Sequence, residues 1–276
     1  MKALPQKIGL ALGGGSTYGI AHIGALVALA EAKIPIDCIA GTSAGSLVAA
    51  CYAFRMPLAD MVSLSENLKW KKFSRFAYSP LGLRNNKRMG TFITDTLGAV
   101  HIEDAPIPLA IVATNIETHE MAILRKGALH EAVRASTCLP GIFTPVEIDG
   151  ALLVDGGLTE NVPLTALDEM GATMKIAINL LGSPHSTKPR NVFDVLGTSV
   201  TILSKHRDQH LSTHADILIE PNLSQLDASN FKAADDMLEA GYQAAYAAIP
   251  QIRAKLAEMN PEPKFSFRKM FSKLLK

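Results

Sequence analysis

A serine between two glycines, Gly41-x-Ser43-x-Gly45, follows a short apolar stretch and precedes an apolar segment with helical spacing. Small flanking residues let the backbone turn sharply between a strand and a helix, and the serine hydroxyl is then exposed. At the helix N-terminus, the dipole and the free N–H groups favour developing negative charge. Ser43 is therefore a candidate nucleophile, although a serine that only caps the helix would give the same pattern.

A glycine-rich loop precedes that serine. Residues 13–19, Gly-Gly-Gly-Ser-Thr-Tyr-Gly, lie between a predicted strand and a predicted helix. Successive N–H groups in such a loop can converge on an anion, which in acyl transfer is the tetrahedral oxyanion. We predict donors at Gly14, Gly15 and Ser16. A nucleotide phosphate is the alternative anion, but Tyr18 stands where the dinucleotide fingerprint needs its third glycine, and the P-loop lysine is missing.

A carboxylate ends another apolar stretch. Residues 152–157, Leu-Leu-Val-Asp-Gly-Gly, place Asp155 at the end of a predicted strand, before two glycines that allow close approach of a second loop. An Asp-Gly turn in a hairpin fits the same residues. The catalytic interpretation is favoured because three glycine-flanked polar turns then lie at strand ends, where open α/β sheets carry their sites. Asp155 is the candidate base for Ser43.

Histidine and cysteine supply no further candidates. None of the histidines lies in a recognisable triad context, so we assign no role to His22, His101, His119, His130, His185, His206, His210 or His214. The three cysteines are widely spaced and include no CxxC pair, which argues against a disulfide framework and a zinc site. We expect no metal or cofactor, and a reducing, cytoplasmic environment.

The elements that must position these residues follow from the apolar periodicity. Only one strand–helix unit precedes Ser43, which disfavours the α/β-hydrolase fold, and repetition of the unit predicts a mostly parallel sheet flanked by helices. Residues 57–90 are less regular, mix aromatic with basic side chains, and are interpreted as a cap or lid. Predicted strands cover 8–12, 38–40, 109–114, 122–124, 152–154, 175–179 and 216–219; predicted helices begin near 20 and cover 46–54, 128–136, 163–170, 192–210 and 233–249.

Length and charge limit the remaining possibilities. A chain of 276 residues is long enough for one large α/β domain, which we place at residues 1–260. Lys and Arg total 27 against 26 Asp and Glu, so no overall field attracts nucleic acid. The first residues lack the apolar region of a signal peptide, and the glycine loop interrupts the uncharged run at 8–30, which therefore does not predict a membrane span.

The glycine loop, the G-x-S-x-G turn and the D-G-G carboxylate, in this order and spacing, resemble the patatin-like phospholipase family. The similarity extends over roughly residues 8–219 and includes the segment Ala-Ser-Thr-Cys-Leu-Pro-Gly-Ile-Phe at 135–143. The resemblance implies a three-layer α/β fold, a Ser43–Asp155 dyad without histidine, and hydrolysis of fatty-acyl esters or phospholipids without a metal.

Two residues depart from the family loop G-G-G-x-[RK]-G. Here Ser16 replaces the third glycine and Tyr18 replaces the basic residue. Ser16 retains the N–H that an oxyanion hole uses, and is harmful mainly if the position requires φ > 0. These departures leave open a catalytically weak protein with a lipid-binding or regulatory role.

The segment 264–276 follows Pro261 and Pro263, and is predicted to form a separate short helix. Its apolar residues recur at helical spacing, and its basic residues occupy other faces. Such a helix fits peripheral contact with the inner membrane surface or packing on the protein's own body or a second subunit. The sequence does not indicate an oligomeric state.

Overall fold

The computed structural model describes residues 6–67, 75–182, 192–208, 211–226 and 233–259. Strands and helices alternate through most of this part of the chain. The strands are β1 Ile8–Leu12, β2 Cys38–Thr42, β3 Arg75–Ser79, β4 Gly82–Asn85, β5 Leu109–Asn115, β6 Met121–Leu124, β7 Gly141–Phe143, β8 Val146–Ile148, β9 Ala151–Asp155, β10 Met174–Ile178 and β11 Ile217–Ile219. The helices are α1 Ile20–Glu31, α2 Ala44–Ala53, α3 Leu58–Asn67, α4 Lys87–Leu97, α5 Leu129–Ser136, α6 Leu164–Glu169, α7 Val192–Arg207, α8 Leu211–His214 and α9 Ala234–Met259.

The central sheet has eight strands, in the order β11-β10-β1-β2-β5-β9-β8, with β6 also paired to β5. The strands from β11 to β5 are parallel. The pairs β5–β6, β5–β9 and β8–β9 are antiparallel. The prediction of a mostly parallel sheet flanked by helices is confirmed. A second sheet has three strands in the order β3-β4-β7.

Alternate residues of the central strands face two different helical layers. Large side chains such as Leu10 and Ile176 pack with α1, α2 and α9 in the main core cluster. Small side chains such as Ala11 and Ala177 face the other way and pack with Leu167 of α6. Because both faces of these strands are buried, their sequences are apolar throughout, as expected for a parallel sheet.

The pairing register of β5 brings two strand ends together. Thr42, the last residue of β2, pairs with Val112, and Asp155, the last residue of β9, pairs with Ala113. Both partners lie on the same edge of β5, because β6 pairs with residues Val112 and Ala113 on the other edge. Since β2 and β9 run in opposite directions, they meet end to end, and the residue after Thr42 lies beside Asp155.

Two regions differ from the sequence prediction. Residues 57–90 are more regular than expected: α3, the β3–β4 hairpin and the start of α4 occupy the described part. The last helix was expected to end at residue 249, before Pro250, but α9 continues to Met259. The continuation is explained by burial, because Ile252 is fully buried in the main core. The predicted tail helix at 264–276 lies outside the described residues.

Within the described ranges, no helix combines the length and the apolar character needed to cross a membrane.

Candidate active site

Ser43 lies in a strained turn between β2 and α2. Its backbone has φ 51° and ψ −122°, a conformation that non-glycine residues rarely adopt and that is typical of functional sites. Ser43 occupies the N-cap position of α2, yet its side chain makes no capping hydrogen bond. The hydroxyl instead donates to Asp155 Oδ2 at 2.7 Å. Helix capping therefore does not account for this serine.

The glycines on either side of Ser43 are required by close backbone contacts. A Cβ on Gly41 would lie 2.5 Å from the carbonyl oxygen of Gly45. A Cβ on Gly45 would overlap the carbonyl oxygen of Leu12, at the end of β1. Both positions admit only glycine, so the turn that exposes Ser43 is packed directly against the start of the glycine-rich loop.

Asp155 is 2% exposed and uses its two carboxylate oxygens differently. Oδ1 accepts a hydrogen bond from the Gly157 N–H at 2.9 Å, which stabilises the turn after β9, and Oδ2 accepts from Ser43. The hairpin turn of this region lies between β8 and β9 rather than at Asp155. The residues after Asp155 form a short 3₁₀ helix, Gly156–Leu158, and not the hairpin turn of the alternative interpretation, and the second carboxylate oxygen is directed to the serine.

Burial raises the pKa of Asp155 to about 6, because the ionised carboxylate loses its hydration. The hydrogen bonds from Ser43 and Gly157 stabilise the ionised form and act in the opposite direction. A carboxylate with its ordinary pKa near 3.8 would be a weak base at neutral pH. The shift brings Asp155 closer to the range in which general bases are effective, while it remains largely ionised at pH 7.

The glycine-rich loop lies against Ser43. A Cβ on Gly14 would lie 3.1 Å from Cβ of Ser43. The N–H of Gly14 is not free, however, because it donates to the carbonyl oxygen of Asn161 at 3.2 Å. This corrects the expectation that Gly14 donates to an oxyanion. Among the described residues, no acceptor pairs with the N–H groups of Gly15 and Ser16, which leaves these two as the loop's candidate donors.

Ser16 adopts φ 53°, so the position does require a left-handed backbone. A glycine there would adopt this conformation without strain, whereas a serine carries a steric cost. Tyr18, in place of the basic residue, is 5% exposed, and its hydroxyl donates to the carbonyl oxygen of Leu226 at 2.7 Å. Tyr18 therefore anchors the loop through a neutral hydrogen bond to the segment before α9.

His22 is fully buried beneath the loop and was not identified by the sequence analysis. Its Nε2 lies 2.7 Å from the carbonyl oxygen of Gly13, and a carbonyl can only accept, so Nε2 carries the proton. Burial lowers the pKa of His22 to about 4, which keeps the ring neutral at pH 7. The peptide between Gly13 and Gly14 is thus held at its carbonyl by His22 and at its N–H by Asn161.

Two other residues hold the site and were not singled out from the sequence. Ser136, at the end of α5, accepts a hydrogen bond from the Ser43 N–H at 2.8 Å and donates to the Val112 carbonyl oxygen at 2.6 Å. Asn161 also donates through Nδ2 to Asp208 at 3.1 Å. Ser136 belongs to the segment 135–143, which resembles the family and could have indicated this residue from the sequence. Asn161 is distant from Gly14 in sequence and is close to it only in the fold.

No described histidine forms a hydrogen bond with Ser43 or Asp155. His185 and His210 lie outside the described residues. The three cysteines Cys38, Cys51 and Cys138 are buried and unpaired. In the same described ranges, no group of three or more His, Cys, Asp or Glu side chains is arranged to hold a metal ion.

Comparison with known proteins places this arrangement in a family. The family model described as "Patatin-like phospholipase" matches residues 10–168, which is more than half of the chain. The chain belongs to the patatin-like phospholipase family. Ser43, Asp155 and the glycine-rich loop all lie within the matched residues.

Relatives in this family include fungal and mycobacterial proteins. The "Lysophospholipase NTE1" of Mycosarcoma maydis is 35% identical over 209 residues, which are 72% of this chain and 11% of that protein. An uncharacterized NTE family protein of Mycobacterium tuberculosis is 34% identical over 180 residues, 64% of this chain and 50% of that protein. The chain therefore spans between about a tenth and a half of the length of these relatives.

A solved structure with a similar fold supports the architecture. VipD from Legionella pneumophila superimposes with a TM-score of 0.59 at 15% sequence identity, over 90% of this chain and 66% of that one. At this level of identity the similarity shows the shared fold alone.

Proposed function

We propose that this protein is a lipid acyl hydrolase that cleaves fatty-acyl esters, phospholipids and lysophospholipids among them, through a Ser43–Asp155 dyad. The observation that supports this best is the 2.7 Å hydrogen bond from Ser43 Oγ to Asp155 Oδ2, in a strained turn against which the glycine-rich loop packs at Gly14. The family and the lysophospholipase relatives support an ester of a lipid as the substrate class.

In the proposed mechanism, Ser43 Oγ attacks the ester carbonyl carbon while Asp155 takes the hydroxyl proton. The N–H groups of Gly15 and Ser16 stabilise the tetrahedral oxyanion, and loss of one such donor typically costs about 3 to 4 kcal/mol. The carbon–oxygen bond to the leaving alcohol breaks, and Asp155 returns the proton to that oxygen. Water, deprotonated by Asp155, then attacks the acyl-enzyme; the bond between the acyl carbon and Ser43 Oγ breaks, Asp155 returns the proton to Oγ, and the fatty acid leaves.

The site requires no contribution from another chain in this mechanism, and we propose that the single domain at residues 1–260 carries it. The part of that domain at 57–90 is proposed to cover the acyl chain as a lid. We further propose a cytoplasmic protein with peripheral contact at the inner membrane surface. Neither a cofactor nor a nucleic acid takes part in the proposed reaction.

The proposal is tested by incubating the purified protein with p-nitrophenyl acyl esters and with lysophospholipid. We expect turnover of both, and at least about a thousandfold loss in Ser43→Ala, since the nucleophile is removed. Turnover that survives in Ser43→Ala, with unchanged folding, would contradict the assignment.

A catalytically weak protein with a lipid-binding or regulatory role is the second candidate. The observation in its favour is the left-handed backbone of Ser16, since strain there can displace an oxyanion donor. Saturable binding of lysophospholipid without turnover, in protein that a fluorophosphonate does not label, would favour this candidate.

A further inference from the structure

Large apolar side chains are exposed on two neighbouring elements, α7 and the β3–β4 hairpin at residues 75–85. They make up six of the eight large hydrophobic side chains that are exposed in the described part of the chain. Each is between 50% and 59% exposed: Leu81, Leu83, Val192, Val195, Ile202 and Leu203. Clustering of this kind, as opposed to single scattered residues, typically marks an interaction site.

The outer side of α7 is a continuous face without negative charge. Its exposed residues recur at helical spacing, at positions 192, 195, 198, 199, 202, 203 and 206, and none is Asp or Glu. The opposite side carries Ser204, which is 2% exposed. Helix α7 therefore packs on the protein through one side and presents valine, isoleucine and leucine on the other.

Helix α7 contacts the turn that follows Asp155, and the hairpin is joined to α7 through β7. On α7, Ser204 Oγ donates to the carbonyl oxygen of Gly157 at 2.8 Å, in the turn that also holds Asp155. Leu196 of α7 lies against Gly141 of β7, where a Cβ would be 3.4 Å from Leu196 Cδ1. Gly141 in turn pairs with Gly82 of β4, between the two exposed leucines of the hairpin. The two elements that carry the exposed apolar side chains are thus connected to each other and to the turn at Asp155.

The charge of the adjoining sequence identifies the kind of partner. Residues 67–94 contain seven Lys and Arg and no Asp or Glu, in a chain whose net charge is only +1. Of these cations, Lys87 and Arg88 are exposed at the start of α4, directly after the hairpin. An anionic lipid surface attracts such a segment. A second copy of this chain would bring the same cations against one another in a two-fold interface.

We infer that α7 and the β3–β4 hairpin form a docking surface for an anionic lipid bilayer. Apolar side chains of both elements enter the headgroup region, Lys87 and Arg88 contact anionic headgroups, and Ser43 lies close to the membrane. The inference rests on the proposed function only for the choice of a lipid partner, and binding is measured without hydrolysis.

The test compares full-length variants in flotation with phosphatidylcholine vesicles that do or do not contain phosphatidylglycerol. Val195→Gln with Ile202→Gln removes two exposed apolar side chains from α7 and keeps good helix propensity. Leu81→Thr with Leu83→Thr does the same for the hairpin with strand-forming residues. We expect each pair to lower the partition coefficient onto anionic vesicles about tenfold, and wild-type binding to be weaker without phosphatidylglycerol.

Tyr246→Gln provides the matched control, because Tyr246 is 58% exposed on α9, away from the docking surface. We expect it to bind vesicles like the wild type. The inference is overturned if the α7 pair binds anionic vesicles as well as the wild type does, or if Tyr246→Gln lowers vesicle binding as much as the α7 pair does. Two other results would overturn it, because each would show that protein covers α7: a dimer that the α7 substitutions dissociate, or a lower Tm of the α7 pair with unchanged vesicle binding.

Hydrolysis of p-nitrophenyl butyrate separates this inference from the proposed function. We expect Val195→Gln with Ile202→Gln, and the control Tyr246→Gln, to retain the wild-type rate, because the short soluble ester needs no membrane. If the wild type itself fails to hydrolyse the ester, the proposed function fails, while the vesicle measurement still decides the docking surface.

Discussion

At the level of single residues, the burial of Asp155 links the fold to the chemistry. The folded-state pKa of about 6 lies above the ordinary value of 3.8, so ionisation of Asp155 opposes folding as the pH rises through 6. At pH 8 this ionisation lowers the free energy of unfolding by about 3 kcal/mol, because the pKa is raised by about two units. The same shift makes the carboxylate a better base, and the hydrogen bond from Ser43 holds it in position.

The pH dependence of kcat/KM tests this role. Because the ionised carboxylate is the active form, we expect kcat/KM to be constant above about pH 7 and to fall about tenfold per pH unit below pH 6. Asp208→Asn is the control, because burial also raises the pKa of Asp208 to about 6. In Asp208→Asn, kcat/KM should still fall below pH 6. If this fall disappears, it is due to Asp208, and the mechanism is contradicted.

The backbone of Ser16 gives a second prediction. Ser16→Gly removes the steric cost of φ 53°, and the greater freedom of glycine in the unfolded chain offsets part of the gain. We expect kcat to be retained or increased, and the free energy of unfolding to rise by less than about 1 kcal/mol. Ser16→Val places a β-branched side chain at the same φ and should lower both quantities. Retained activity in the valine variant would show that the loop does not depend on this conformation.

The main residues of the candidate site could be predicted, whereas those that hold them could not. Ser43 and Asp155 follow apolar strands and precede glycines, so local sequence predicts them as polar groups at strand ends. His22 is the only polar residue of the apolar helix α1 apart from Glu31 at its end, and nothing local indicates its contact with Gly13. The N–H of Gly14 donates to the carbonyl oxygen of Asn161, which is distant in sequence. Because local sequence does not show this contact, the expectation that Gly14 donates to the oxyanion was wrong.

At the level of secondary structure, the contact between the end of β1 and the start of α2 positions Ser43. A Cβ on Gly45 would overlap the backbone of Leu12, which cannot move without disturbing the central sheet. We predict that Gly45→Ala lowers the free energy of unfolding by about 3 kcal/mol or more, measured by urea denaturation, and that it abolishes ester hydrolysis.

A glycine on α7 provides the comparison. A Cβ on Gly197, which lies inside the helix, would have no atom of the described residues within 4 Å beyond its own neighbourhood. Gly197→Ala should therefore increase the free energy of unfolding by up to about 1 kcal/mol through helix propensity. Equal effects of the two alanine substitutions would mean that the β1–α2 contact is not the constraint described above.

The elements that the sequence predicted are those with local periodicity. The parallel strands and α1 have strong apolar patterns and were predicted nearly to their ends. The β3–β4 hairpin was missed, because β4 is completed by pairing with β7, far along the chain. The last helix was predicted to end at residue 249, but α9 continues through Pro250, and burial of Ile252 outweighs the hydrogen bond that proline cannot donate.

At the level of the whole molecule, membrane contact is predicted to involve the tail as well as the docking surface. Deletion of residues 264–276 should weaken binding to anionic vesicles, because each Lys or Arg near such a surface contributes about 1 kcal/mol. Hydrolysis of a soluble ester should remain intact. Unchanged co-sedimentation with vesicles, or a collapse of the soluble-ester rate, would show that the segment packs on the protein instead.

The central claim is that Ser43 and Asp155 act together, and site-mapped labelling with a fluorophosphonate tests it most directly. We predict that the probe modifies the wild type at Ser43 alone, and that the labelling rate falls at least about a hundredfold in Asp155→Asn, which keeps the shape of the side chain but removes the base. Mass spectrometry of peptides identifies the modified residue. Modification of a different serine, or undiminished labelling in Asp155→Asn together with its loss in a histidine variant, would contradict the dyad.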